Sequence, residues 1–139
     1  MAVKENSYYI ERLRKYFKGL LGYEITFDGD DESGIAVMIS DDPDMNVDWQ
    51  NGEITSFYFY FYPQYKRATS EKDLKMYIYL SSMGVKKADR GKGIAGKFIA
   101  GIMYAFGNDI GEIAMNDLNQ SGIWQYIASK YPKIKWTID

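Results

Sequence analysis

The chain has 139 residues, 46% of them hydrophobic and 26% charged, enough to bury one core, so a single domain over 1–139 is expected. It has no cysteine and no histidine, which excludes disulfide frameworks, thiol nucleophiles, the Ser-His-Asp triad and most zinc chemistry. Net charge is only −2, yet Asp28, Asp30, Asp31, Glu32, Asp41, Asp42, Asp44 and Asp48 fall in a stretch without Lys or Arg, while Lys86, Lys87, Arg90, Lys92 and Lys97 cluster together. Such asymmetry points to one anion-binding region and one region attractive to cations, although acidic loops also serve simply to stay solvated.

In chain order, residues 6–21 place Ile10, Leu13, Phe17 and Leu20 or Leu21 at helical spacing, with Gly22 as the stop. YEITF and GIAVMIS then read as short strands joined by an acidic turn. A second acidic, turn-rich stretch leads to SFYFYFY, residues 56–62. Here Phe57, Phe59 and Phe61 share one face, and Tyr58, Tyr60 and Tyr62 the other. KMYIYLSSM alternates in the same way and is expected to pair with it as an antiparallel hairpin. The period then changes: Ile94, Phe98, Ile99, Ile102, Met103 and Phe106 predict a helix ended by Gly107. EIAM reads as a strand, SGIWQYIASKY as a helix ended near Pro132, and KIKWTI as a last strand. The expected class is α+β, a mixed and mostly antiparallel sheet flanked by helices.

RGKGIAGKF, residues 90–98, fits three nucleotide-binding patterns at once. All three use the unpaired N–H groups of a helix N-terminus, whose dipole favours anions, and glycines that let a phosphate approach the backbone. Gly91, Gly93 and Gly96 spell the G-x-G-x-x-G of a dinucleotide-binding turn, with Asp117 about twenty residues on. That turn needs its first glycine directly after a parallel strand. Here KKADR intervenes, the preceding strands read as antiparallel, and too little chain follows for a doubly wound sheet. Gly91, Gly96 and Lys97 begin a P-loop, but Phe98 stands where a magnesium-binding hydroxyl is required. Arg90, Gly93 and Ala95 spell R-x-x-G-x-A, a loop for the pyrophosphate of coenzyme A.

A strand ending at Val85, then Arg90, Gly91, Gly93, Ile94 and Ala95 opening an apolar helix, resembles the core motif of the GNAT superfamily of acyl-CoA N-acyltransferases. Downstream, Asn119, Gly122 and Tyr126 fall at the asparagine, alanine and tyrosine positions of the family's N-x-x-A-x-x-x-Y segment. The resemblance covers residues 76–131. The family usually has a proline at Lys87 and an aromatic at Asp89, its Gly-Phe after the tyrosine helix is replaced by Lys130 and Tyr131, and it normally ends in two strands where this chain shows one. An open sheet edge of that kind is expected to be completed by a partner chain, as in a homodimer.

The resemblance implies a GNAT-like fold with a strand–pyrophosphate loop–helix core and acetyl-CoA as co-substrate, with no metal. It implies that the N–H groups of Gly91, Lys92, Gly93, Ile94 and Ala95 hold the pyrophosphate, with charge from Arg90 and Lys92. Met83, Gly84 and Val85 would pair with the pantetheine arm and polarise the carbonyl, Asn119 would bond the arm, and Tyr126 would protonate the leaving thiolate. Tyr126 equally fits a packed helix face with Ile123 and Ile127. Glu53, heading the aromatic strand, is the best carboxylate for a general base. The acceptor would be a small-molecule amine or a protein lysine or N-terminus, and the acidic stretch would suit a cationic one.

Asp42, Asp44, Asn46, Asp48, Gln50 and Glu53 imitate positions 1, 3, 5, 7, 9 and 12 of a calcium loop, but Val47 occupies the glycine position. The aromatic strand could stack single-stranded nucleic acid, but the net acidic charge argues against it. The N-terminus has no signal-peptide pattern, and the most apolar window is too short to span a bilayer and carries Lys97, so a cytoplasmic protein without membrane association is expected. Two function classes follow: an N-acetyltransferase, or a non-catalytic acyl-CoA-binding or interaction module that keeps the cradle.

Overall fold

A computed structural model describes residues 3–30, 34–42, 54–65, 69–70, 73–116 and 122–139. Helix α1 (Asn6–Arg14) passes into π-helical turns over Lys15–Leu20 and stops at Gly22, whose φ is 73°. Four strands follow, β1 (Glu24–Asp30), β2 (Gly34–Ser40), β3 (Ser56–Pro63) and β4 (Met76–Gly84). Then come α2 (Ile94–Phe106), β5 (Ile110–Met115), α3 (Ile123–Ser129) and β6 (Lys135–Ile138). The predicted elements are therefore all present. The α+β class holds, as a six-stranded mixed sheet in the order β1-β2-β3-β4-β5-β6.

The sheet changes sense midway. The strands β1 to β4 form an antiparallel meander, whereas β4 with β5 and β5 with β6 are parallel. Parallel neighbours need a crossover, and α2 and α3 supply the two crossovers. Both run in the same direction across the sheet, so right-handed connections put both helices on one face. That face carries Val37, Ile39, Phe57, Phe59, Phe61, Ile78 and Ile113, all buried, and they form one cluster with Tyr9, Leu13, Phe98, Ile102, Trp124 and Ile127 of the helices. Alternation thus assigns the phenylalanines of β3 to the core, as the sequence predicts.

The tyrosines lie on the other face. Tyr60 pairs with Tyr79 and Tyr62 with Tyr77, with ring centroids 5.1 and 5.0 Å apart. These half-buried cross-strand pairs tile the face that the helices leave. Burial and the neighbouring phenols push Tyr60 and Tyr77 above the usual tyrosine range. On the same face Glu112 is 6% exposed, accepts the Thr137 hydroxyl at 2.8 Å and faces the Lys135 ammonium at 3.7 Å.

Gly101 lets the π-helical turns that follow α1 approach α2 closely. A Cβ there would lie 2.7 Å from Tyr16 Cδ1 and 2.8 Å from Phe17 Cε2, so only hydrogen fits. Arg12 closes the same contact, with its guanidinium 4.1 Å above the Tyr104 ring and its Nε donating to the Tyr104 carbonyl at 3.0 Å. No helix among the described residues is long and apolar enough to cross a membrane.

Candidate functional site

The residues of RGKGIAGKF lie where the sheet changes sense. β4 is antiparallel to β3 and parallel to β5, and the chain leaves its carboxyl end for α2. In open sheets with parallel strands, ligands bind outside the carboxyl ends of the strands, and the loop lies at such an end, although the strand order does not reverse here. The preceding strands are antiparallel, as expected, but β4–α2–β5 is itself a βαβ unit, so the spacer before Gly91 and the short chain beyond α2 are what exclude a dinucleotide turn. That spacer is real: β4 ends at Gly84, and a 3₁₀ turn over Lys87–Asp89 precedes Gly91.

β4 loses its β5 partner before it ends. It pairs with β3 as far as Ser56–Gly84, but with β5 only as far as Leu80–Met115. The register against β3 slips between Tyr58 and Phe59, with Ser82 and Leu80 as their partners, so Ser81 is an extra, bulged residue. From Ser81 to Gly84 no strand among the described residues pairs the β5 side of β4. The expected arm-binding residues Met83, Gly84 and Val85 sit on this open end, with the Met83 side chain turned against the core.

The loop then rises into α2. Gly91 and Gly93 have φ of 81° and 75°, left-handed values that a Cβ disfavours, and Gly93 is the N-cap of α2. No side chain caps this end, and the first-turn N–H groups have no acceptor within the helix. A Cβ at Gly91, Gly93 or Gly96 would meet nothing within 4 Å, and Gly91 and Gly93 are exposed, so the loop is uncrowded at these glycines. Arg90 and Lys92 are exposed beside them. Arg90 Nε donates to the Val85 carbonyl at 3.0 Å, which holds the guanidinium near the end of β4, and Lys92 Nζ lies 3.8 Å from Asp89. Ala95 is buried and Ile94 half-buried, so these two contribute backbone alone to the open side.

Phe98 explains why the P-loop pattern stops short. Its ring is 2% exposed and stacks on Phe57, with centroids 4.3 Å apart and planes 4° apart. The position where a P-loop puts its hydroxyl is a core position here.

Tyr126 is 62% exposed, with the Lys130 ammonium 4.7 Å from its ring centroid. The packed face of α3 consists instead of Trp124 and Ile127, and Ile123 is 45% exposed, so a buried role for Tyr126 is overturned. The α3 helix follows the carboxyl end of β5, on the same edge of the sheet as the glycine loop. Glu53, Asn119, Asp117 and the calcium-like positions after Asp42 lie outside the described residues. Among the described residues, no group of three or more acidic side chains is placed to hold a metal ion.

Sequence reasoning missed Asp41, Thr55 and Lys86 as a unit. Asp41 counted only toward the acidic stretch and Lys86 only toward the basic cluster. Yet Lys86 Nζ binds Asp41 Oδ2 at 2.8 Å, and this hydrogen bond, more than the charge of Asp41 and Asp89, holds the ammonium above the usual lysine range. The partners are far apart in the chain, and no local pattern marks them.

Comparison of the chain with protein-family models, curated proteins and solved structures finds no match.

Proposed function

We propose that this protein is an N-acyltransferase that passes an acetyl or related acyl group from its coenzyme A thioester to a primary amine. The observation that carries the proposal is an uncapped α2 N-terminus with two uncrowded left-handed glycines and flanking cations at the free end of β4. The amides of Gly91, Gly93, Ile94 and Ala95 hold the pyrophosphate, the Lys92 N–H being engaged by the Asp89 carbonyl, and the Arg90 and Lys92 side chains add charge. The open end of β4 at Met83 and Gly84, with Val85 directly after it, lies beside that cradle and bonds the amide-bearing arm as a neighbouring strand would. A backbone N–H there also polarises the thioester carbonyl. Attack by the neutral amine in a ternary complex forms the C–N bond, and the C–S bond breaks. The acceptor nitrogen loses a proton to Glu53 or to water, and the leaving thiolate takes one from Tyr126. Asn119 steadies the arm. The GNAT resemblance supplies the roles of Asn119 and Tyr126, whereas Glu53 is chosen only as the carboxylate heading the aromatic strand, and the exposure of Tyr126 leaves its hydroxyl accessible.

Isothermal titration with acetyl-CoA, coupled to thiol release against a panel of amines and lysine peptides, tests the reading. The expected result is binding, with turnover on a cationic amine. Tyr126→Phe is expected to keep the affinity and to lower kcat by about 10²-fold. Unchanged kcat in Tyr126→Phe would remove the acid role from that residue. Binding with no turnover across the panel supports the non-catalytic module instead, and no binding of any acyl-CoA refutes both.

A further inference from the structure

The base of the glycine loop is tied down by residues from three separate parts of the chain. Thr55, just before β3, is fully buried, and its hydroxyl oxygen accepts the Lys86 N–H at 3.1 Å. The Thr55 N–H donates to Asp41 Oδ1 at 3.0 Å, and the Asp41 N–H donates back to the Thr55 carbonyl at 3.1 Å. The other Asp41 oxygen holds the Lys86 ammonium at 2.8 Å, and Asp89 adds a contact at 3.5 Å. Lys86 is thus bonded at its backbone and at its ammonium to one Asp41–Thr55 unit. Short steps carry that placement forward: Asp89 N–H donates to the Lys86 carbonyl at 2.9 Å, and Lys92 N–H to the Asp89 carbonyl at 3.3 Å. Gly93 follows directly.

A buried hydroxyl and a charge-assisted bond of this kind rigidify what they join. The segment they join would otherwise be permissive, because two of its residues are left-handed glycines. We infer that Asp41, Thr55 and Lys86 are positioning residues for the glycine loop, fixing it so that the amides of Gly91, Gly93, Ile94 and Ala95 converge on one anion, while the Lys92 N–H stays bonded to the Asp89 carbonyl. Lys86 is then a strut and not a ligand cation, since two carboxylates already match its charge. Pre-setting the loop removes part of the ordering cost that binding would otherwise bear. The identity of the anion rests on the acyl-CoA reading, whereas the strut does not.

The test compares wild type with Thr55→Val, Thr55→Ser and Asp41→Asn, by titration with coenzyme A and by hydrogen exchange of the free proteins over residues 86–97. Thr55→Val, which leaves the Lys86 N–H without its acceptor, is expected to weaken binding about tenfold and to speed exchange in the loop. Thr55→Ser, which keeps the hydroxyl, is expected to restore both. Wild-type affinity and loop exchange in a folded Thr55→Val overturn the inference, as does a loss that Thr55→Ser fails to rescue. If Thr55→Val does not fold, Asp41→Asn decides in its place, with unchanged loop exchange again overturning the inference. Should wild type bind no coenzyme A, the acyl-CoA reading falls and the exchange comparison alone decides on the strut.

Discussion

Alanine replacements at three glycines of one segment should have three different effects. At Gly93 the φ of 75° costs a residue with a Cβ about 1–2 kcal/mol. Reduced freedom of the unfolded chain returns about 0.4–1 kcal/mol. Since the new methyl meets nothing within 4 Å, no clash adds to this, and Gly93→Ala should lose about 1 kcal/mol. Gly96 lies inside α2, and its Cβ also meets nothing, so Gly96→Ala should gain about 0.5–1 kcal/mol from helix propensity alone. Gly101 is also helical, but its Cβ would press on Tyr16 and Phe17 between two helices. Gly101→Ala should therefore lose about 1–3 kcal/mol despite the same propensity gain. Urea unfolding followed by circular dichroism reads all three, with the m-value checking that the native state is unchanged. Equal shifts for Gly93→Ala and Gly96→Ala would refute the left-handed N-cap. A stabilised Gly101→Ala would refute the close approach of the π-helical turns over Lys15–Leu20 to α2.

The core makes a further demand on RGKGIAGKF. Phe98→Ala removes a ring stacked on Phe57 and tilted 45° against Phe17, and should cost about 3–5 kcal/mol in the same urea assay, with a loss under about 1 kcal/mol excluding the buried placement. At alkaline pH, Tyr60 and Tyr77 keep their protons above the ordinary value of 10.0, chiefly through burial. Lys86, held by Asp41, stays charged above its ordinary 10.5. Folded values raised above unfolded ones give stability that is present in full below about pH 10 and lost as pH rises further. Unfolding midpoints should therefore be flat to about pH 10 and fall beyond it, and tyrosinate absorbance of the native protein should lag that of the urea-unfolded chain. Coincident titration curves would contradict the buried phenols.

Much of this protein was legible in its sequence because the signals are local. The alternation of Phe57, Phe59 and Phe61 with Tyr58, Tyr60 and Tyr62 fixed which side of β3 enters the core, since a strand presents its side chains by turns. The 3.6-residue spacing from Ile94 to Phe106 fixed α2, and Gly107 marked its end. Gly91 and Gly93 marked the turn into the helix because glycine alone enters the left-handed region freely. Sequence could not show that β4 is parallel to β5, since pairing sense depends on where a crossover helix lands and not on the strand's own residues. Nor could it show that β5 pairing ends at Leu80 while β4 continues to Gly84, leaving the end of the strand open. Tyr126 sat on an apolar helix and fitted packing and chemistry equally, and only the side of α3 that met the sheet turned it outward. The union of Asp41, Thr55 and Lys86 was least visible of all. It joins the ends of three strands brought together only by folding, and that non-local meeting decides the geometry of a loop whose glycines the sequence displays openly.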